Sequence, residues 1–164
     1  MSATTDRNAS AESCLIARLA AKDWKLAVAE SCTGGLLSAR LTAVPGASAV
    51  FVGAIVSYAN DVKHDVLGVP AATLAMAGAV SVETALAMAQ GIRRLLRADL
   101  AAAVTGIAGP TGATETKPLG LVFLAVVGPG DDRVERFVFT GDRDAIRNQA
   151  CDAGLRLLLA QAAA

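Results

Sequence analysis

Histidine is nearly missing from this sequence: His64 is the only one in 164 residues. A serine–histidine–carboxylate triad therefore has one possible centre, and a zinc hydrolase lacks a second imidazole at helical or hairpin spacing, so no metal is expected. Cysteine is scarce as well. Cys14, Cys32 and Cys151 are odd in number and widely spaced, which argues against a disulfide framework or a zinc cluster and fits a reduced, cytoplasmic setting. Cys14 and Cys151 read as small buried apolar residues. Aromatic residues make up 4% of the chain against 54% hydrophobic residues, so the core has to be built from Ala, Val and Leu. Net charge is also lacking. The 15 Lys and Arg balance the 15 Asp and Glu, and no basic stripe forms. That speaks against a nucleic acid or an acidic membrane surface as partner and leaves a small ligand held locally.

No run is long and apolar enough for a transmembrane helix, despite a mean hydropathy of +0.48. The longest uncharged stretch, Leu41 to Asn60, is broken at Pro45-Gly46, and what remains is β-branched and of strand length. Residues 1–10 are polar and patternless, which predicts a disordered tail rather than a targeting peptide, ahead of one domain over residues 11–164. The Ala-rich helices and the apolar total predict a homo-oligomer.

What is present alternates. Apolar spacing and turn residues predict helices over Ala11–Ala21, Gly34–Thr42, Ala71–Met76, Val82–Arg97 and Asp144–Gln161, with a short helical turn around Val62–Leu67. Strands are predicted over Leu26–Ala29, Phe51–Tyr58, Leu100–Val104, Leu119–Val127 and Arg133–Phe139. This order predicts an α/β fold with helices on both faces of one sheet of about five strands. Gly128–Asp132, a turn-rich link between the last two strands, predicts an antiparallel hairpin, hence a mixed sheet with the last strand at its edge.

Three strands end in polar, glycine-bearing text, and ligands on such sheets gather at strand C-termini. In the first loop, Glu30-Ser31-Cys32-Thr33-Gly34-Gly35, a strand-to-helix turn of small residues offers free N–H groups to a phosphate or a developing oxyanion; equally, Ser31 or Thr33 serves as a plain helix cap. The second loop, Tyr58 to Lys63, supplies a base if burial suppresses the lysine's charge, as in serine–lysine dyads. Tyr58, the only tyrosine, then orients the lysine or relays a proton. The third, Thr105 to Gly120, is a long loop that matches no standard nucleotide fingerprint; it reads as a backbone-rich anion cradle with Thr105 and Lys117 as donors, or else as a mobile surface loop. Asp142 is expected to cap the last helix, with Arg143 and Arg147 on one face of it, either within reach of a phosphate.

Taken together, AESCTGG at Ala29–Gly35, Y-x-N-x-x-K at Tyr58–Lys63, GAVS at Gly78–Ser81, TGIAGP at Thr105–Pro110, KPLG at Lys117–Gly120 and GDRDAIRNQA at Gly141–Ala150 resemble the CinA C-terminal domain family. Its enzymatic members are nicotinamide-nucleotide amidohydrolases. The resemblance implies a three-layer α/β/α sandwich with a mixed, mostly parallel sheet. It also implies hydrolysis of nicotinamide mononucleotide to nicotinate mononucleotide and ammonia, a step of pyridine-nucleotide salvage, without a cofactor. By motif position Ser31 corresponds to the family's nucleophile, Lys63 to its base and Tyr58 to their aromatic partner. The residues then expected around the substrate are Cys32, Thr33, Gly34, Gly35, Asn60, Thr105, Gly106, Ile107, Ala108, Gly109, Lys117 and Arg143. Thr111 to Thr116 depart from the family's glycine-rich text. Some family chains carry a further N-terminal domain for which this length leaves no room, so the resemblance is to the stand-alone form. Two other readings stay open: a non-catalytic nucleotide-binding module, and a thiol hydrolase using Cys32.

Overall fold

A strand with no charge until its last residue organises the sheet. β1 (Leu26–Glu30) is buried throughout and pairs in parallel with β2 (Phe51–Val56) on one side and β3 (Leu100–Gly106) on the other. β4 (Leu121–Val127) runs antiparallel to β3, and β5 (Arg133–Val138) antiparallel to β4. The order is β2-β1-β3-β4-β5, so β4 alone reverses and β5 lies at an edge, as the hairpin text implied. The structure is a computed structural model that describes residues 9–163; the tail expected at the N-terminus lies, over residues 1–8, outside the described residues.

Side chains alternate across this sheet, and the two faces differ in bulk. Leu26 and Val28 of β1, Leu100, Ala102 and Val104 of β3, and Val122, Leu124 and Val126 of β4 meet α1 (Ala11–Lys22), α2 (Leu36–Thr42) and α6 (Arg143–Gln161). The opposite face is mostly alanine: Ala27, Ala29, Ala101, Ala103 and Ala125. Such a shallow surface lets α5 (Val82–Leu96) settle close, through Ala85, Met88, Ala89 and Ile92. Helices thus cover both faces, which gives the three-layer sandwich and explains why so few aromatics suffice.

Gly91 extends the same logic to the loop that carries the lysine. A Cβ there would lie 1.9 Å from the Leu67 carbonyl oxygen, so α5 rests directly on the backbone that follows α3 (Asn60–Asp65). Helix starts follow the expected chemistry where a side-chain oxygen is present: Ser10, Ser81 and Asp142 each accept the N–H three residues on. α4 (Ala71–Met76) buries none of its residues.

Some expectations shift. α2 begins at Leu36 rather than Gly34, β2 ends at Val56, β3 continues to Gly106, and a short 3₁₀ turn at Ala47–Ala49 had no sequence signal. Cys14 is exposed, because α1 turns Leu15, Ile16 and Leu19 to the core and leaves Cys14 on its flank; Cys151 is buried as expected. Among the described residues, no helix is long and apolar enough to cross a membrane.

Candidate active site

Ser31 follows β1 directly, and its N–H donates to the Val104 carbonyl at 2.9 Å, which holds the residue against β3. The chain then turns sharply. Gly34 N–H returns to the Ser31 carbonyl at 3.0 Å, and Gly35, at a left-handed φ of +96°, starts α2 without a side chain to cap it. The cap comes from Glu30. Its buried carboxylate accepts the N–H groups of Gly35 (3.0 Å), Leu37 (3.2 Å) and Ser38 (2.8 Å), and the Ser38 hydroxyl donates to it as well. This corrects two expectations: neither Ser31 nor Thr33 caps the helix, and its N-terminus is already filled by an internal anion. Within the turn, the N–H groups of Cys32 and Thr33 have no acceptor among the described residues.

Lys63 comes to Ser31 from the next strand. Ser57 N–H donates to the Glu30 carbonyl at 2.8 Å, extending the β1–β2 pairing by one step before the chain bends into α3. One turn into that helix, Lys63 reaches back over the bend. Its Nζ lies 2.6 Å from the Ser57 carbonyl oxygen, 3.1 Å from that of Tyr58 and 3.1 Å from Ser31 Oγ, with the residue only 1% exposed. Burial disfavours the ammonium and lowers its pKa below the usual lysine value. A neutral amine has two hydrogens and one lone pair. The three oxygens match the three hydrogens of the ammonium; on loss of one proton the two carbonyls would accept the remaining hydrogens and the lone pair would turn to the Ser31 hydroxyl.

The other candidates fall into place around this pair. Tyr58 meets Lys63 through its carbonyl, not its phenol; the residue is 62% exposed and its phenol oxygen accepts Arg143 Nη2 at 3.2 Å. Arg143 Nη1 donates to the Gly109 carbonyl at 2.6 Å, so one guanidinium ties the second loop to the third. Thr105 Oγ1 gives its one hydrogen to the Ala79 carbonyl and Lys117 Nζ gives one of its three to the Ala77 carbonyl, each at 2.7 Å, so both brace the loop. Arg147 likewise donates to the Thr33 carbonyl at 2.9 Å. His64 Nδ1 bonds the Val69 carbonyl, away from Ser31. Burial pushes the Cys32 thiol up to about 11, which keeps it protonated near neutral pH and weakens the thiol-hydrolase reading.

Ser31, Cys32, Tyr58, Lys63, Thr105 to Gly109 and Arg143 line one cleft of about 290 Å³, together with Ala79 and Val80 of the GAVS block and Thr111 and Gly112, which were not among the residues expected around the substrate. Thr33, Gly34, Gly35, Asn60 and Lys117 do not line it. Other hollows are larger, about 390 Å³ beside Arg93 and Arg94 and about 460 Å³ beside Met76, but neither sets a nucleophile against a base. Among the described residues, no group of His, Cys, Asp and Glu side chains is gathered where a metal ion could be held.

A family model for the CinA C-terminal domain matches residues 8–162. A CinA-like protein from Citrifermentans bemidjiense is 55% identical over 130 residues, which is 79% of this chain and 31% of its own length. The chain therefore spans about a third of the length of the curated relatives it matches. Among solved structures, a CinA superfamily protein from Klebsiella pneumoniae superposes with a TM-score of 0.89 at 37% identity, over 93% of this chain and 96% of its own. A competence/damage-inducible protein from Agrobacterium tumefaciens also gives 0.89, at 40% identity, over 92% and 94%.

Proposed function

This chain belongs to the CinA C-terminal domain family, and from that premise we propose that it is an amidohydrolase that converts nicotinamide mononucleotide to nicotinate mononucleotide and ammonia. The carrying observation is the buried Lys63 amine 3.1 Å from Ser31 Oγ, with its other two contacts taken by carbonyl oxygens. In this reading Ser31 Oγ attacks the carboxamide carbon as its proton passes to Lys63 Nζ. The N–H group of Cys32, which lines the cleft, is the donor at hand for the resulting oxyanion. As the tetrahedral adduct collapses, the C–N bond breaks and Lys63 returns the proton to the departing nitrogen, which leaves as ammonia. Water then attacks the Ser31 ester, losing its proton through Lys63, and the acid is released with the hydroxyl restored.

Recognition in this reading belongs to the rest of the cleft. Arg143 and the backbone from Thr105 to Gly109 line the same cleft as Ser31, where they suit the phosphate of the substrate. The test is to incubate the purified protein with nicotinamide mononucleotide, the riboside and free nicotinamide, following ammonia and the acid product together. Equimolar ammonia and nicotinate mononucleotide, with the riboside a far poorer substrate and nicotinamide poorer still, is the expected outcome. A folded protein that binds the mononucleotide but releases no ammonia overturns the amidohydrolase and leaves a nucleotide-binding module.

A further inference from the structure

Glu30 is an ionisable side chain at 0% exposure, placed immediately before the nucleophile, and no cationic side chain pairs with it among the described residues. Burying a carboxylate is costly unless hydrogen bonds replace its water, and here four donors do so: three backbone N–H groups of the first turn of α2 and the Ser38 hydroxyl. Those donors close the turn that presents Ser31. The main chain of the same residue acts in the other direction. Its carbonyl accepts the Ser57 N–H, and the Ser57 carbonyl in turn accepts Lys63 Nζ at 2.6 Å. One residue thus holds both partners, the serine through its side chain and the lysine through its backbone.

We infer that Glu30 is a positioning residue, whose buried carboxylate fixes the distance and angle between Ser31 Oγ and Lys63 Nζ without touching the substrate. The inference rests on the Ser31–Lys63 reading. A neutral amide at this position keeps the shape but sets an NH₂ group among N–H donors, so the turn must open to relieve the conflict. Misplacing reacting groups by about 1 Å costs on the order of a hundredfold in rate, while contacts elsewhere in the cleft stay as they were.

The experiment uses the full chain and two readouts: turnover of nicotinamide mononucleotide, and the rate at which a fluorophosphonate labels Ser31. Glu30→Gln should lower kcat and the labelling rate by about ten- to a hundredfold, with KM changed by no more than about threefold. Glu30→Asp, which keeps the charge on a shorter arm, should recover part of both. Circular dichroism and the unfolding midpoint establish that each variant is folded. If Glu30→Gln does not fold, Ser38→Ala decides: loss of one of the four donors should lower kcat and labelling about three- to tenfold at unchanged KM. A folded Glu30→Gln protein with both rates intact, or an unaltered Ser38→Ala protein in that second case, overturns the positioning role. Unmodified protein that is not labelled at Ser31 sinks the serine–lysine reading itself, which is a different result from either.

Discussion

The turn from Ser31 to Gly35 and the loop from Ile107 to Gly120 face one cleft and are built in opposite ways. In the turn, Ser31, Cys32 and Thr33 are buried, and most hydrogen bonds run inward to Val104, Glu30 and the turn itself, with Arg147 adding a tie on the Thr33 carbonyl. In the loop, Thr111 to Thr116 are exposed, and the strongest ties come from outside: Arg143 on the Gly109 carbonyl and Lys117 reaching back to Ala77. Bond-making needs a nucleophile and a base fixed to a fraction of an ångström, and recognition tolerates more play. In the proposed reaction the rigid wall would therefore carry the chemistry and the tethered wall the selection.

The sharpest test removes the rigid wall's reactive pair. Ser31→Ala and Lys63→Arg should each lower kcat about a thousandfold or more, the second although its charge is kept, because a guanidinium does not give up its proton. Comparable activity in the arginine variant, measured by ammonia release, ends the general-base role of Lys63.

The pH dependence comes next. Only the neutral amine accepts the serine proton, so kcat/KM should rise about tenfold per pH unit and level off at a pKa below the usual ~10.4 of lysine. Stability carries the same sign. The unfolded chain holds this proton to higher pH than the folded one, so between the two pKa values the unmodified protein should gain stability with pH relative to Lys63→Met. Denaturant midpoints of the two proteins across that window check it; a difference that does not vary with pH removes the burial argument.

On the tethered wall, effects should shrink and move to KM. Arg143→Ala should cost roughly tenfold in kcat/KM for the mononucleotide and about two- to threefold for the riboside, narrowing the gap between them. Equal losses on both substrates place Arg143 outside phosphate recognition. Lys117→Met, which loses the tie to Ala77 and keeps the aliphatic arm, should raise KM by about threefold at constant kcat. Smallest of all, Cys32→Ala should leave kcat within about threefold, since a thiol pushed up to about 11 is no nucleophile at neutral pH; a collapse of activity would restore the thiol mechanism.

The contrast also marks where sequence reasoning succeeds. Strands β1, β3 and β4 are legible because burial on both faces demands unbroken apolar runs, and the long helices because Ser10, Ser81 and Asp142 announce their starts. The three loops were legible as one site because parallel strands deliver their C-termini to one edge. The part played by Glu30 was not, since a cap five to eight residues ahead of its donors fits no local capping pattern. Its signal was nonetheless present: a carboxylate closing a strand, Leu26-Ala27-Val28-Ala29-Glu30, that is otherwise wholly apolar. Tyr58 misled for a different reason. Its neighbourhood to Lys63 is real but is made by the main chain, which spacing in the sequence does not distinguish from a side-chain contact.

The reversal of β4 has a consequence for how such a chain can change. Gly106 pairs with Val122, Ile107 N–H donates to the Leu121 carbonyl and Gly120 N–H to that of Ile107, so the strands are zipped shut just below the loop. Residues past that seam add nothing to strand register, and lengthening a loop with fixed ends costs only about 0.6 kcal/mol per doubling. Insertions and deletions within the exposed stretch from Thr111 to Thr116 leave the core untouched, whereas one residue added between Glu30 and Gly35 pulls the carboxylate out of step with its donors. Divergent copies of this domain are free to acquire new ligands by editing the hairpin tip, and are held to the same reaction by the turn.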